Sequence, residues 1–138
     1  MAGLKLVNVY GLTEMTGGSF WNGLNGYRLG SVGRSVHPSS VAKIAPDGEI
    51  LLKGPDLFAG YHNKPGETES AIQDGWLQTG DLGRLDEDGY LFVIGRKKEL
   101  IVTSGGKKIA PVPIEETLET HPGIENAILI GENRKYIS

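Results

Sequence analysis

The chain has 138 residues, 38% of them hydrophobic and 22% charged, which is the make-up of a globular protein and not of a disordered or membrane-spanning one. It contains no cysteine, so disulfide scaffolds and thiolate metal sites are excluded, and His37, His62 and His121 do not have metal-ligand spacing. A net charge of -3 argues against a general nucleic-acid binder. With no apolar run near the roughly 20 residues that span a bilayer, and no signal-peptide pattern at the start, the expected location is the cytoplasm.

Glycine is the anomaly, at 21 residues, and predicts many turns or places where backbone approaches a ligand. In chain order, the apolar run Leu4 to Val9 predicts a buried strand that ends in a loop at Tyr10-Gly11. Residues 16–33 show no stable period and are expected to be irregular. Four short strands follow, Val41–Ile44, Glu49–Lys53, Gly83–Leu85 and Tyr90–Ile94, with a short helix expected over Glu67 to Gln73. Pro46-Asp47-Gly48 and Asp86-Glu87-Asp88-Gly89 are hairpin signals, because such turns need residues that tolerate positive φ.

The character changes after Gly95. A charged run, Arg96–Glu99, leads to a strand over Leu100–Thr103 and a basic Gly-rich loop, Ser104 to Lys108. Pro111-Val112-Pro113 then opens a helix over Ile114–His121, with Glu115 and Glu116 in its first turn, where acidic side chains suit the dipole. Pro122-Gly123 ends it, and a strand is expected over Ile124–Ile130. A domain boundary falls at Arg96–Lys98. The second unit has too few residues to bury a core alone, so the chain reads as truncated.

Three segments carry candidate chemistry. Tyr10-Gly11-Leu12-Thr13-Glu14 offers an aromatic plane, a hydroxyl and a carboxylate, which suit a purine, a phosphate oxygen and a hard cation; a plain loop is the alternative. In Gly75-Trp76-Leu77-Gln78-Thr79-Gly80-Asp81 the final carboxylate can accept from two vicinal hydroxyls, as acidic residues do with ribose, or it is a turn aspartate. Asp86 and Asp88 are read as shaping the turn before Gly89-Tyr90. Gly95-Arg96-Lys97-Lys98-Glu99 is either a solvated charged face or a hinge at the compositional boundary. Ser104-Gly105-Gly106-Lys107-Lys108 lacks the spacing of a phosphate-binding P-loop.

In this order the segments resemble the adenylate-forming superfamily of acyl-CoA synthetases, luciferases and peptide-synthetase adenylation domains. The resemblance rests on Tyr10 to Glu14, Gly30-x-x-Gly33, Gly48-Glu49-Ile50, Lys53-Gly54-Pro55, Gly60-Tyr61, Gly75-Trp76, Thr79-Gly80-Asp81, Asp88-Gly89-Tyr90, Gly95 to Ile101, and Ile109-x-Pro111 with Glu115-Glu116. The stretch from Gly95 to Pro111 and the run Ile130 to Tyr136 resemble the long-chain fatty acyl-CoA synthetase branch.

The resemblance implies an α+β fold: a mostly β distorted-barrel subdomain closing a large AMP-binding domain (1–95), then the hinge and the start of a small α+β carboxyl-terminal lid domain (96–138). It implies a fatty acid, ATP and CoA as substrates, with Mg²⁺, no nucleic acid and no transmembrane segment, and it is compatible with peripheral membrane contact by a parent enzyme. By resemblance Tyr10 and Gly11 line the adenine site, Thr13 touches the α-phosphate and Glu14 holds Mg²⁺. Asp81 takes the ribose hydroxyls and Arg96 the ribose or phosphate side. Lys98 is the hinge, Gly105 and Gly106 line the CoA passage, Lys107 and Lys108 either contact its phosphates or form an exposed solubilising pair, and Gly17 and Gly18 either border the acyl pocket or form a flexible loop. The family's phosphate loop is expected ahead of Met1 and its adenylating lysine beyond Ser138, so the 138 residues alone are expected to be inactive. Two other readings stand beside this one, an adenylation domain that loads a carrier protein and a non-catalytic β-rich binding module.

Overall fold

The computed structural model describes residues 7–23 and 26–138. It is mostly β with two short helices, the α+β class expected. The described residues form two compact units, one running up to Thr79 together with Gly83–Val93, the other made of Gly80–Leu82 and Ile94–Ser138.

In the first unit β1 (Asn8–Leu12), β2 (Gly17–Asn22) and β3 (Arg34–Ser35) form an antiparallel sheet in that order. Both expectations here need correction. The strand does not stop at Tyr10 but runs through it to Leu12, while Leu4 to Leu6 lie outside the described residues. Residues 17–22, expected to be irregular, pair with β1. The glycines that obscured any period are what allow the pairing: a Cβ on Gly11 would lie 1.7 Å from the Gly17 carbonyl oxygen. A bulge at Tyr10/Gly11 and a single 3-10 turn, Thr13–Met15, join the strands.

The second sheet is built on β4 (Val41–Ile44), β5 (Glu49–Lys53), β6 (Ile72–Gln73), β7 (Trp76–Leu85) and β8 (Leu91–Arg96), in the order β4-β5-β7-β6 with β8 also on β7. The β4 and β5 strands have the predicted bounds. Their turn works as the Asp-Gly signal requires, with Gly48 at φ 89° and the Asp47 carboxylate accepting the Glu49 N–H at 3.2 Å. The strand expected over Gly83–Leu85 is instead ten residues long and begins at Trp76, so Asp81 lies within β7 and not near a strand end. Helix α1 (Pro65–Ala71) starts two residues earlier than expected, because Pro65 supplies a φ suited to a first helical turn.

The core of this unit is Met15, Phe20, Ile50, Leu52, Leu77 and Leu91, each at most 3% exposed. Leu91 also ties the two sheets together: its N–H donates to the Gly33 carbonyl (2.9 Å) and its carbonyl accepts the Val32 N–H (2.8 Å). Asn22, 1% exposed, is satisfied by the Arg28 and Ser31 carbonyls and the Arg28 N–H.

In the second unit β9 (Ile101–Val102) pairs antiparallel with β10 (Lys108–Ile109), and α2 (Val112–Glu119) follows, two residues earlier than expected. The strand expected over Ile124–Ile130 is absent. A strand needs a partner for its N–H and C=O groups. Among the described residues only Ile130 makes a strand-like exchange, with two backbone bonds to Ser138 (2.8 and 2.9 Å), while the Ile124 N–H closes a turn on the His121 carbonyl (2.9 Å). The N–H groups of Ala127 and Leu129 go instead to the Glu119 and Glu115 carboxylates of α2, at 2.9 and 2.7 Å.

Candidate functional site

In the first unit the segment Tyr10 to Glu14 is held from two sides. Tyr10, half-buried, packs against the core with its ring centroid 6.4 Å from that of Phe20. Gly11 has no room for a side chain, and Thr13 is exposed at the head of the 3-10 turn. Glu14 is half-buried. Its carbonyl accepts the Phe58 N–H at 2.8 Å, and its carboxylate Oε1 accepts the Tyr61 hydroxyl at 2.6 Å. That bond to a carboxylate, helped by partial burial, pushes the Tyr61 phenol above its ordinary value. Gly18 faces Val9, whose Cγ1 a Cβ would meet at 2.8 Å, and Gly17 adopts φ 110°, so both have local backbone reasons for being glycine.

The pairing of β7 with β8 brings Asp81 and Arg96 together within the second unit. Arg96 Nε lies 3.3 Å from Asp81 Oδ1 in an ion pair, and the Asp81 side chain is only 7% exposed against 66% for Arg96. A carboxylate so covered needs hydrogen-bond and ion partners. Lys98 is exposed in a second 3-10 turn, Lys97–Glu99, at the junction of β8 and β9. Gly105 and Gly106 are exposed in the β9–β10 turn, which the Gly106 N–H closes on the Thr103 carbonyl at 2.8 Å, with Gly106 at φ 77°. Beside this turn a hollow of about 310 Å³ is lined by Thr103, Lys107, Ile109, Lys135, Tyr136 and Ile137. Lys108, the second lysine of the loop, pairs with Val102 in β10.

Asp86 and Asp88 behave as turn-shaping residues. Asp86 Oδ1 accepts the N–H groups of Asp88 and Tyr90, and Arg28 bridges the Asp86 and Asp88 carboxylates. Burial pushes the Asp86 carboxyl up, but the Tyr90 N–H, the Arg28 guanidinium and the Asp88 N–H outweigh it and hold it below the usual aspartate value.

Sequence reasoning did not find the Tyr61–Glu14 pair, whose members are 47 positions apart. Gly60-Tyr61 stood out only as part of a family pattern, and no local periodicity links it to Glu14. Lys135 and Tyr136 likewise stood out only within the family-like run Ile130 to Tyr136. Among the described residues no cluster of three or more His, Asp or Glu side chains could hold a metal ion. A lone carboxylate does fit a hard cation that takes its other ligands from substrate phosphates, the usual habit of Mg²⁺, and Glu14 is such a group. No helix among the described residues is long and apolar enough to cross a membrane.

Residues 98–138 match the family described as AMP-binding enzyme C-terminal domain. The chain is 45% identical over 136 residues to the long-chain-fatty-acid–CoA ligase FadD15 of Mycobacterium bovis, covering 99% of this chain and 22% of that protein. It is 47% identical over 141 residues to the long-chain-fatty-acid–CoA ligase ACSBG1 of Rattus norvegicus, covering 98% of this chain and 20% of that protein. In fold it is similar to the O-succinylbenzoate coenzyme A synthetase MenE of Bacillus subtilis solved with ATP and magnesium ion. There the TM-score is 0.80 at 35% identity, with 95% of this chain and 30% of that one covered. The chain therefore spans about a fifth of the length of the curated relatives it matches. By sequence and by fold the chain is similar to these CoA ligases, and residues 98–138 carry the match to the AMP-binding enzyme C-terminal domain.

Proposed function

We propose that the chain is part of an ATP-dependent acid–thiol ligase. A carboxylate attacks the α-phosphorus of ATP to give an acyl-adenylate and pyrophosphate, and the CoA thiol then displaces AMP to give a thioester. The single observation that carries this reading is Asp81: a carboxylate 5% exposed, fixed in the middle of β7 and ion-paired with Arg96, in a chain alike over nearly its whole length to CoA ligases. A fixed carboxylate acceptor of this kind can take both hydroxyls of a ribose.

In this reading Tyr10 and Gly11 line the adenine site, Thr13 meets the α-phosphate and Arg96 donates on the ribose or phosphate side. Glu14 would hold Mg²⁺, which when bound neutralises charge building on the phosphates. Residues 1–95 close the large domain and 96–138 open the lid. Lys98 is where the lid turns between the two half-reactions. The β9–β10 turn then forms the CoA passage, its glycines allowing close approach and the hollow with Lys107 and Lys135 receiving phosphates.

A long-chain fatty acid is the acyl group we propose, on the identity to long-chain ligases. The likeness to a succinylbenzoate enzyme makes an aromatic acid the second candidate. Pyrophosphate release by the longer protein with ATP, CoA and either palmitate or 2-succinylbenzoate tests this. We expect turnover with palmitate and none with the aromatic acid, and the reverse preference overturns the acyl assignment. Transfer to a holo carrier protein in place of CoA would move the protein to the carrier-loading class. The 138 residues alone are expected to release no pyrophosphate above an enzyme-free blank, and release would defeat the claim that residues outside them are needed.

A further inference from the structure

Glu14 lies on a turn of three residues, too short to fix a side chain by itself. A second segment, residues 56–61, reaches back onto this turn at three points. The Asp56 carbonyl accepts the Thr16 hydroxyl at 2.8 Å, the Phe58 N–H donates to the Glu14 carbonyl at 2.8 Å, and the Tyr61 hydroxyl donates to Glu14 Oε1 at 2.6 Å. Tyr61 is itself held on both sides. Its ring meets that of Phe58 edge-on with centroids 4.8 Å apart, and its N–H donates to the Thr68 hydroxyl (2.9 Å), which in turn donates to the Lys64 carbonyl (3.0 Å). The first two points fix backbone. The third instead fixes one oxygen of a carboxylate side chain, Glu14 Oε1.

We propose that Tyr61 is a positioning residue: its hydroxyl holds Oε1 of Glu14 and so sets the carboxylate, with Oε2 left as the ligand for the divalent cation of a metal–nucleotide substrate. This rests on the reading above that Glu14 is the cation ligand. An outer partner that orients a ligating carboxylate narrows the geometries it samples, and removing such partners costs about 10-fold to 100-fold in metal affinity. Thr68 acts one step further out, by fixing the backbone that carries Tyr61.

The test is calorimetric titration of the longer protein with ATP in the presence and absence of Mn²⁺, and with AMP in metal-free buffer, for the unaltered chain and for Tyr61→Phe, Thr68→Val and Glu14→Gln. Tyr61→Phe keeps the ring contact with Phe58 and deletes only the hydroxyl. It should weaken Mn²⁺-dependent ATP binding by about 10-fold and leave AMP binding unchanged. Thr68→Val should show a smaller loss in the same direction, and it stands in should Tyr61→Phe fail to fold by circular dichroism. Equal weakening of ATP and AMP, or no change in the Mn²⁺ dependence, overturns the positioning role while Glu14→Gln still abolishes that dependence. If Glu14→Gln also leaves the metal dependence intact, or the unaltered chain shows none, the cation-ligand reading itself falls and the proposal falls with it.

Discussion

Residues 41–53 and residues 124–130 both carry Ile-rich runs expected to be strands, yet only the first forms them. The β4 strand finds β5 after a turn of four residues, and all four pairs from Val41↔Lys53 to Ile44↔Ile50 form. The 124–130 stretch pairs only at Ile130 with Ser138, and its Ile128 side chain is 80% exposed. Strand propensity is thus a statement about fitting a pleated surface that must already have a neighbour. A local turn supplies that neighbour for β4 and β5, and β7 pairs along the other edge of β5.

The sharpest way to break this contrast is in the core that β5 commands. Leu52→Ala removes a fully buried side chain that packs in the cluster with Met15, Phe20, Ile50, Leu77 and Leu91. It should destabilise the first unit by about 2–5 kcal/mol, as a cavity in a packed core does. Trp21 and Trp76 both lie in this unit, so urea unfolding followed by tryptophan fluorescence reads it directly. A loss well under 1 kcal/mol would mean that this cluster does not hold the sheets together.

A smaller effect comes from the turn between β7 and β8. The Asp86 carboxyl is held below its unfolded value, so its contribution to stability is present above the ordinary aspartate pKa of about 3.9 and is lost as pH falls through the lower folded value. Asp86→Asn should therefore flatten the acid limb of a stability-against-pH curve and leave the neutral-to-alkaline slope alone. Tyr61 works in the opposite sense. Its raised phenol gives stability that is full below about 10 and is lost as pH rises through the folded value, so Tyr61→Phe should flatten only the alkaline limb. An unchanged curve for either variant would remove the corresponding contact as a source of pH dependence.

These turns also mark what could be read in advance. The Asp47-Gly48 and Asp88-Gly89 turns, β4, β5 and the helix after Pro111 were legible because each is decided within a few residues by φ limits or capping. The β1–β2 pairing was not, because Gly11, Gly17 and Gly18 lower strand propensity and their use appears only when two backbones meet at a bulge. The candidate site divides in the same way. Tyr10 to Glu14 and Asp81 could be proposed from residue type and order, whereas Tyr61, Lys135 and Tyr136 come close to other groups only through the fold. Asp81 could be named but its setting could not, since the length of β7 depends on pairing with β5, β6 and β8.

The 124–130 stretch offers the finest test, because its backbone groups have different fates residue by residue. The Ala127 and Leu129 N–H groups donate to glutamate carboxylates of α2, and Ile130 pairs with Ser138. Among the described residues the Ile128 N–H has no hydrogen-bond partner. Amide hydrogen exchange should therefore alternate along the segment, slower at 127, 129 and 130 and fast at 128. Glu115→Ala should speed exchange at Leu129 by several-fold while leaving Ala127, which depends on Glu119, unaffected. The expected factor is modest because the bond is only part-buried, so solvent screening brings it below the about 1.5–3 kcal/mol of a hydrogen bond to a charged group. Uniform exchange across 126–130 would mean that α2 does not hold this segment and that its extended course has another cause. A change at Ala127 together with Leu129 would mean that the two carboxylates act as one unit, and the residue-by-residue account of this edge would then fail where that of β4 and β5 holds.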